Sequence, residues 1–172
     1  EDQARERHLL RALLVAAIGA ALLLILQRPL RTLMFWLTGG SPEVVAAGHI
    51  YFDIRIWAAP AGLVNFALLG WFIGLGRAKV GFALQLILNL TNMALAMLFA
   101  IGLGAEIAGV AWAAVIAEYL AAVAGLGWAL HIAHRQAASA PLSDTIDGSK
   151  LRRSLAINID ITIRSLVAFS AL

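Results

Sequence analysis

Apolar residues in this chain fall into long runs separated by short polar breaks. Leu9–Leu26 is interrupted only by Arg11, and a second stretch continues to Leu37 beyond Gln27, Arg28 and Pro29. Proline lacks a backbone donor and crowds the preceding turn, so a kink or a membrane interface is expected there. Gly39-Gly40-Ser41-Pro42 reads as a helix stop followed by a start. Ser41 suits an N-cap, Pro42 the first helical position, and Glu43 the positive end of the helix dipole. An amphipathic stretch, Val44–Arg55, leads into a second run, Ile56–Leu75, with Pro60 inside it. The third and fourth runs are Val80–Leu103 and Ile107–Leu130. Each is long enough to cross a hydrocarbon core of ~30 Å as a helix. Gly104-Ala105-Glu106 joins the last two so tightly that they must be antiparallel neighbours. His131–Arg153 is a long polar loop carrying Ser139, Pro141, Asp144, Asp147 and Gly148, and Leu155–Leu172 begins a fifth helix. The pattern predicts an all-α, polytopic helical membrane protein. Residues 1–134 hold transmembrane helices of one set, 135–153 a cytoplasmic loop between sets, and 154–172 the start of the next helix.

Composition strengthens this picture. Of the 172 residues 62% are apolar and 13% charged, against ~45–50% and ~25% in soluble domains. A soluble fold of this make-up would expose far more hydrocarbon than water tolerates. The lack of cysteine excludes disulfides and thiolate metal sites. The net charge of +3 comes from basic residues at segment ends, which points to topology and lipid headgroups rather than nucleic acid. Arg5, Arg7, Arg11, Arg77, Lys79, Arg135, Lys150, Arg152 and Arg153 fall on one side if the helices alternate. The turn at Glu106 carries no basic residue. The basic side is therefore cytoplasmic, in a multi-pass protein of the inner membrane. Arg28 and Arg31 are discordant, falling toward the other side. Trp36, Trp57, Trp71, Trp112 and Trp128 each lie near a segment end, where an indole N–H can reach water. The chain opens at Glu1 with a mixed-charge segment unlike a signal peptide, and Leu172 lies within an unfinished apolar run. Further helices are expected on both sides.

Polar side chains inside the runs are the candidate chemistry. Gln85, Asn89 and Asn92 are spaced four and three apart, so they share one helix face. Amides in hydrocarbon need partners. The stripe serves either a substrate or cation site or hydrogen bonding between helices. Glu118 lies near the middle of the fourth run beside Tyr119. A charge at that depth costs ~2.5–3.5 kcal/mol even on insertion scales, so this carboxyl is protonated or paired. It reads either as a proton relay or as a structural group bonded to a neighbouring helix. Gly109, Ala113, Ala117, Ala121 and Gly125 form a small-residue row suited to close helix approach. Asn158, Asp160 and Arg164 open the fifth helix, with Asp160 and Arg164 spaced for an ion pair that serves either as a gate or as a surface contact. Asn65 and Arg55 are isolated polar positions, and Arg55 reads as an interface anchor. His49, His131 and His134 lack metal-site spacing, and no Walker loop or G-x-S-x-G motif is present.

Several of these segments resemble the multidrug and toxic compound extrusion (MATE) transporters, in the branch called DNA-damage-inducible protein F. Tyr51-Phe52-Asp53-Ile54-Arg55, Ala59-Pro60, Leu63, Asn65, Gly70-Trp71 and Gly74 are similar to that family's fourth helix. Asn89-Leu90-Thr91-Asn92 and Leu95 resemble the fifth. Gly109-Val110-Ala111, Ala113 and Ile116-Ala117-Glu118-Tyr119 resemble the sixth. Asn158, Asp160, Ile161 and Arg164 resemble the start of the seventh, while Leu9–Leu37 matches in general character only.

The resemblance implies part of a bundle of two six-helix lobes, about helices three to six plus the start of seven. It implies an antiporter: organic, often cationic or amphipathic compounds leave as protons or sodium ions enter, while the lobes expose a central cavity alternately. Its partners would be the bilayer, small organic substrates and the remaining helices of a longer chain. No catalysis is implied, and no cofactor beyond the coupling proton or sodium ion. Asn92 matches a family asparagine facing the cation and drug chamber, and Asn89 another polar position there. The family usually has an aspartate four residues after that asparagine, where this chain has Ala96, and Ala114 replaces a common threonine. Coupling would then rest on an aspartate of a first helix that this chain does not contain, or on Glu118. Asn65, Gln85, Glu118 and Tyr119 join Asn89 and Asn92 as cavity candidates, and Asn158, Asp160 and Arg164 are gate or inter-lobe candidates. Two other readings stand beside this one. A flippase for lipid-linked intermediates or polysaccharides would need a more basic cavity. An intramembrane enzyme would need a catalytic pair at depth that these segments lack.

Overall fold

The computed structural model describes residues 2–136, with side chains from 8 to 132, and its elements are all helical. Hydrocarbon offers no partner for backbone N–H and C=O groups, so aliphatic runs satisfy them internally. In chain order the helices are α1 (Asp2–Ile25), α2 (Gln27–Thr38), α3 (Pro42–Arg55), α4 (Ala59–Gly74), α5 (Ala78–Ala96) and α6 (Glu106–Gln136). A 3-10 turn, Ile56–Ala58, joins α3 to α4, and a wide π turn, Met97–Gly102, ends α5. Among the described residues, four stretches are long and apolar enough to cross a membrane: His8–Ile25, Pro42–Gly74, Ala78–Gly102 and Glu106–Ile132.

The interruption expected at Gln27–Pro29 is a kink, not a loop. Leu26 N–H donates to Leu22 O at 2.9 Å and Leu30 N–H to Leu26 O at 3.0 Å, so helical bonding continues around the break. Pro29 cannot donate to the carbonyl one turn back, and α1 ends at the residue this leaves unpaired, Ile25. The start of α3 is as expected, with the Ser41 hydroxyl accepting from Val44 N–H at 3.4 Å and Pro42 in the first turn. The second span is longer than its apolar run. The amphipathic stretch and Ile56–Leu75 are one helical stretch of 33 residues, Pro42–Gly74. The 3-10 turn accommodates Pro60, which falls in the first turn of α4, where its missing N–H disturbs no bond.

Four contacts set the register. Gly19 meets Leu63, Arg31 meets Asp53, and Phe35 meets both Gly48 and His49. Partner numbers fall as residue numbers rise, so α1 and α2 run antiparallel to α4 and α3 along their whole length. Leu26 and the 3-10 turn sit at one level, where Gln27 and Trp57 line the same polar cavity. Both strands of this long hairpin are thus broken together. Helix α6 passes alongside without a break.

Gly76, at φ +70°, turns the chain into α5, where Gly81 lies against Leu69 of α4. The turn into α6 uses φ +65° at Gly104 and φ +45° at Glu106. The small-residue row closes these helices together. Ala113, Ala117 and Ala121 are buried, and a Cβ on Gly109 would lie 2.9 Å from Ala100 N and Phe99 C. Gly125 receives Leu68 and Leu84. An apolar core of Leu68, Phe72, Ala129 and Ile132 joins α4 to α6 toward the end carrying Arg77 and Lys79, with Leu9, Val64 and Leu126 packed around it. Helix α6 continues to Gln136, so the start of the expected long loop is helical. The rest of that loop, and the fifth helix with its candidates Asn158, Asp160 and Arg164, lie outside the described residues.

Candidate functional site

Glu118 stands near the middle of the last span. Helical side chains lean toward the N-terminus of their own helix, and this carboxylate accordingly enters the angle between α3 and α4. Asn65 Nδ2 of α4 donates to Glu118 Oε2 at 2.8 Å and to the Glu118 main-chain oxygen at 3.0 Å. Arg55, the last residue of α3, donates from Nη2 to Oε1 at 3.4 Å. Gly62 of α4 faces the same group, with room for a Cβ at ordinary contact distance, 3.6 Å from Oε2. Tyr119 donates its hydroxyl to Trp57 O at 3.1 Å, fastening the 3-10 turn to α6.

The two oxygens of Glu118 are held unequally. Asn65 is at optimal distance, whereas a charge-assisted N–H···O bond is usually ~2.7–2.9 Å, well under the Arg55 separation. The Glu118 side chain is 15% exposed and that of Arg55 36%, so the guanidinium occupies the open side of the pair. A carboxylate removed from water must be neutralised or paired, and Arg55 meets that need. One oxygen is fixed by an amide, and the other is covered by a cation on a flexible arm. Such a group can exchange its cation without losing its anchor.

The sequence reading of Arg55 as an interface anchor and of Asn65 as an isolated position is therefore corrected: both are partners of Glu118. They lie 63 and 53 positions away along the chain, beyond any helical periodicity. The obligation of an intramembrane carboxyl to find a partner was the available signal, and Arg55 was the basic residue bordering a neighbouring run.

The amides of α5 separate by environment. Asn92 packs inward, and its Oδ1 is buried without a hydrogen-bond partner. Gln85 lines a narrow crevice with Asn65, Leu68, Leu84 and Ala121, while Asn89 is exposed. The stripe flanks the packed seam of Gly81, Leu84 and Leu88 rather than coinciding with it. Asn65 thus links the Glu118 cluster to the crevice of Gln85, and Tyr119, half-exposed, completes the outer edge. Ala96 is half-buried on the same helix and offers no polar group. At the discordant position Arg31, both Asp53 oxygens accept from Nη1, at 2.8 and 2.6 Å. Arg31 is therefore paired where the charge pattern disfavours it.

The MatE family model matches residues 2–98 of the chain. DNA damage-inducible protein F of Escherichia coli (strain K12) is 35% identical over 165 residues, which cover 96% of this chain and 36% of that protein. The chain thus spans about a third of the length of this curated relative. No solved structure matches it.

Proposed function

We propose that this chain, which belongs to the MatE family, supplies helices three to six of the first lobe of a MATE-type transporter, acting with further helices of a longer polypeptide. The complete protein, here called the parent, moves organic, often cationic or amphipathic compounds out across the inner membrane. Inward flow of protons or sodium ions drives the export. Cargo is carried and not transformed, so the protein is not an enzyme.

The observation that carries this reading is the cluster of Glu118, Asn65 and Arg55 halfway along the spans. Ionisable groups inside a membrane are costly and by default point to an ion or substrate pathway. In this reading Glu118 takes the coupling role, since Ala96 of α5 provides no carboxylate. In the same reading Asn92, Asn89, Gln85 and Asn65 supply polar lining to the transport path, and the Asn92 oxygen is a buried acceptor without a partner.

The test is dye efflux from proteoliposomes holding the parent, driven by an imposed proton or sodium gradient. Asn92→Leu is expected to slow efflux with expression unchanged. Efflux at the unmodified rate would remove Asn92 from the cavity, and absence of gradient-driven efflux by the unmodified parent would remove the transport reading altogether.

A further inference from the structure

Arg55 stands at a mechanical as well as an electrostatic junction. It is the final residue of α3 and abuts the 3-10 turn. The kink at Leu26 lies at the same level, so both strands of the α1–α2/α3–α4 hairpin are interrupted beside it. Beyond that level α2 and α3 are tied to each other by Arg31–Asp53 and by the Phe35–His49 ring contact, whose centroids are 4.4 Å apart. Neither helix has a buried residue. Helix α3 itself packs against α6, and two polar contacts mark the break, Arg55–Glu118 and Trp57–Tyr119. Proline-bearing breaks and 3-10 turns are where helices bend. Arg55, at a helix end and 36% exposed, can therefore leave Glu118 through its own flexible side chain while Asn65 keeps the carboxylate in place.

We infer that the Arg55 guanidinium is a tethered counter-ion that covers Glu118 in this conformation and withdraws when a monovalent cation takes its place. This rests on the transport reading and adds to it a competitor held within the chain. The bound cation has a single charge because Arg55 leaves a single unmet negative charge behind. A proton and a sodium ion both have that property. Among the described residues, the charged or titratable groups shown beside Glu118 are Arg55 from α3 and its chain neighbour Tyr119 on α6. Helix α4 offers only the Asn65 amide, and the one ionisable residue of α5, Lys79, lies in its first turn at the far end.

A competitor lowers the apparent affinity of its rival by the fraction of time the site is free. If Arg55 covers Glu118 for about nine-tenths of the time, its removal lowers the half-saturating cation concentration about tenfold. The experiment uses the parent in proteoliposomes, titrated with sodium at fixed pH and with protons at fixed sodium, as Arg55→Gln, as Arg55→Lys and unmodified. The titration that shifts identifies the ion. Arg55→Gln is expected to shift one of them about tenfold, and Arg55→Lys, which keeps a flexible cation, to stay near the unmodified value. A purely structural role would lower protein yield without moving the half-saturation point of the lysine variant or of the glutamine variant that survives.

Equilibrium binding of the identified cation to the purified parent gives a readout independent of transport. Arg55→Gln should bind it about tenfold more tightly than the unmodified protein, and Arg55→Gln/Glu118→Gln should lose that binding. Half-saturation within about twofold of unmodified in both titrations, or equal binding by all variants, would overturn the inference and leave the transport reading standing. A parent with no transport but with cation binding that responds to Arg55 would have the opposite meaning.

Discussion

Replacing Asn65 by leucine removes two hydrogen bonds while changing side-chain volume little. Both come from Nδ2, one to Glu118 Oε2 at 2.8 Å and one to the Glu118 main-chain oxygen at 3.0 Å. Interhelical hydrogen bonds in membranes average about 0.6 kcal/mol and reach about 1.7. A bond to an ionised acceptor contributes about 1.5–3 kcal/mol where water is scarce. Glu118 is 15% exposed, so its bond belongs near the lower end of that second range, and the main-chain bond near the membrane average. The sum for Asn65→Leu is about 2 kcal/mol. A neutral amide at 118 still accepts a hydrogen bond but without charge assistance, so in a Glu118→Gln background the same change should cost about 1 kcal/mol. The assay is reversible unfolding of the parent in mixed micelles, with the four proteins of the double-mutant cycle measured together. A cost below about 0.5 kcal/mol for the single change, or an equal cost in both backgrounds, would refute the reasoning, since Asn65 would then not hold an ionised Glu118.

Packing offers a second check. Gly109→Ala places a Cβ 2.9 Å from backbone atoms of Ala100 and Phe99 and should destabilise the parent by about 1–3 kcal/mol, whereas Gly127→Ala meets nothing within 4 Å and should unfold no earlier than the unmodified protein. Sidedness follows from the alternation of the spans: single cysteines at Gly40 and Ala105 should react with an impermeant maleimide from outside the cell, and one at Gly76 only after permeabilisation. Asp53→Asn frees Arg31 from an ion pair whose side chains are 32% and 55% exposed. Solvent screening keeps its cost under about 1 kcal/mol, and the same unfolding assay measures it.

The spans were legible because their signal is local. Val80–Leu103 and Ile107–Leu130 differ from Ala78–Gly102 and Glu106–Ile132 by a few terminal residues. The small residues from Gly109 to Gly125 were readable as a packing row because every fourth position of a helix lines up, and each is buried. The second span was harder. Arg55 read as the end of an amphipathic stretch, yet a 3-10 turn carries the helix past it, with Pro60 inside the run as expected. Asp53 and Arg55, costly in isolation, are each matched by a partner on another helix. The site was half visible for the same reason. Glu118, Asn65 and Asn92 could be named from residue type and depth, but their pairing depends on which helices meet, and periodicity within one helix holds no record of that. The face of the α5 stripe is the intermediate case: spacing places Gln85, Asn89 and Asn92 together, while their differing exposure follows from where α4 and α6 press against α5.

The most direct trial of the account is gradient-driven dye efflux by the parent with Glu118→Gln, compared with the unmodified protein at equal incorporation. A glutamine keeps the shape and the Asn65 contact but can neither release a proton nor attract a cation. The account predicts that uphill efflux is lost while dye still binds. Uphill efflux at the unmodified rate, with the same dependence on the driving ion, would contradict it.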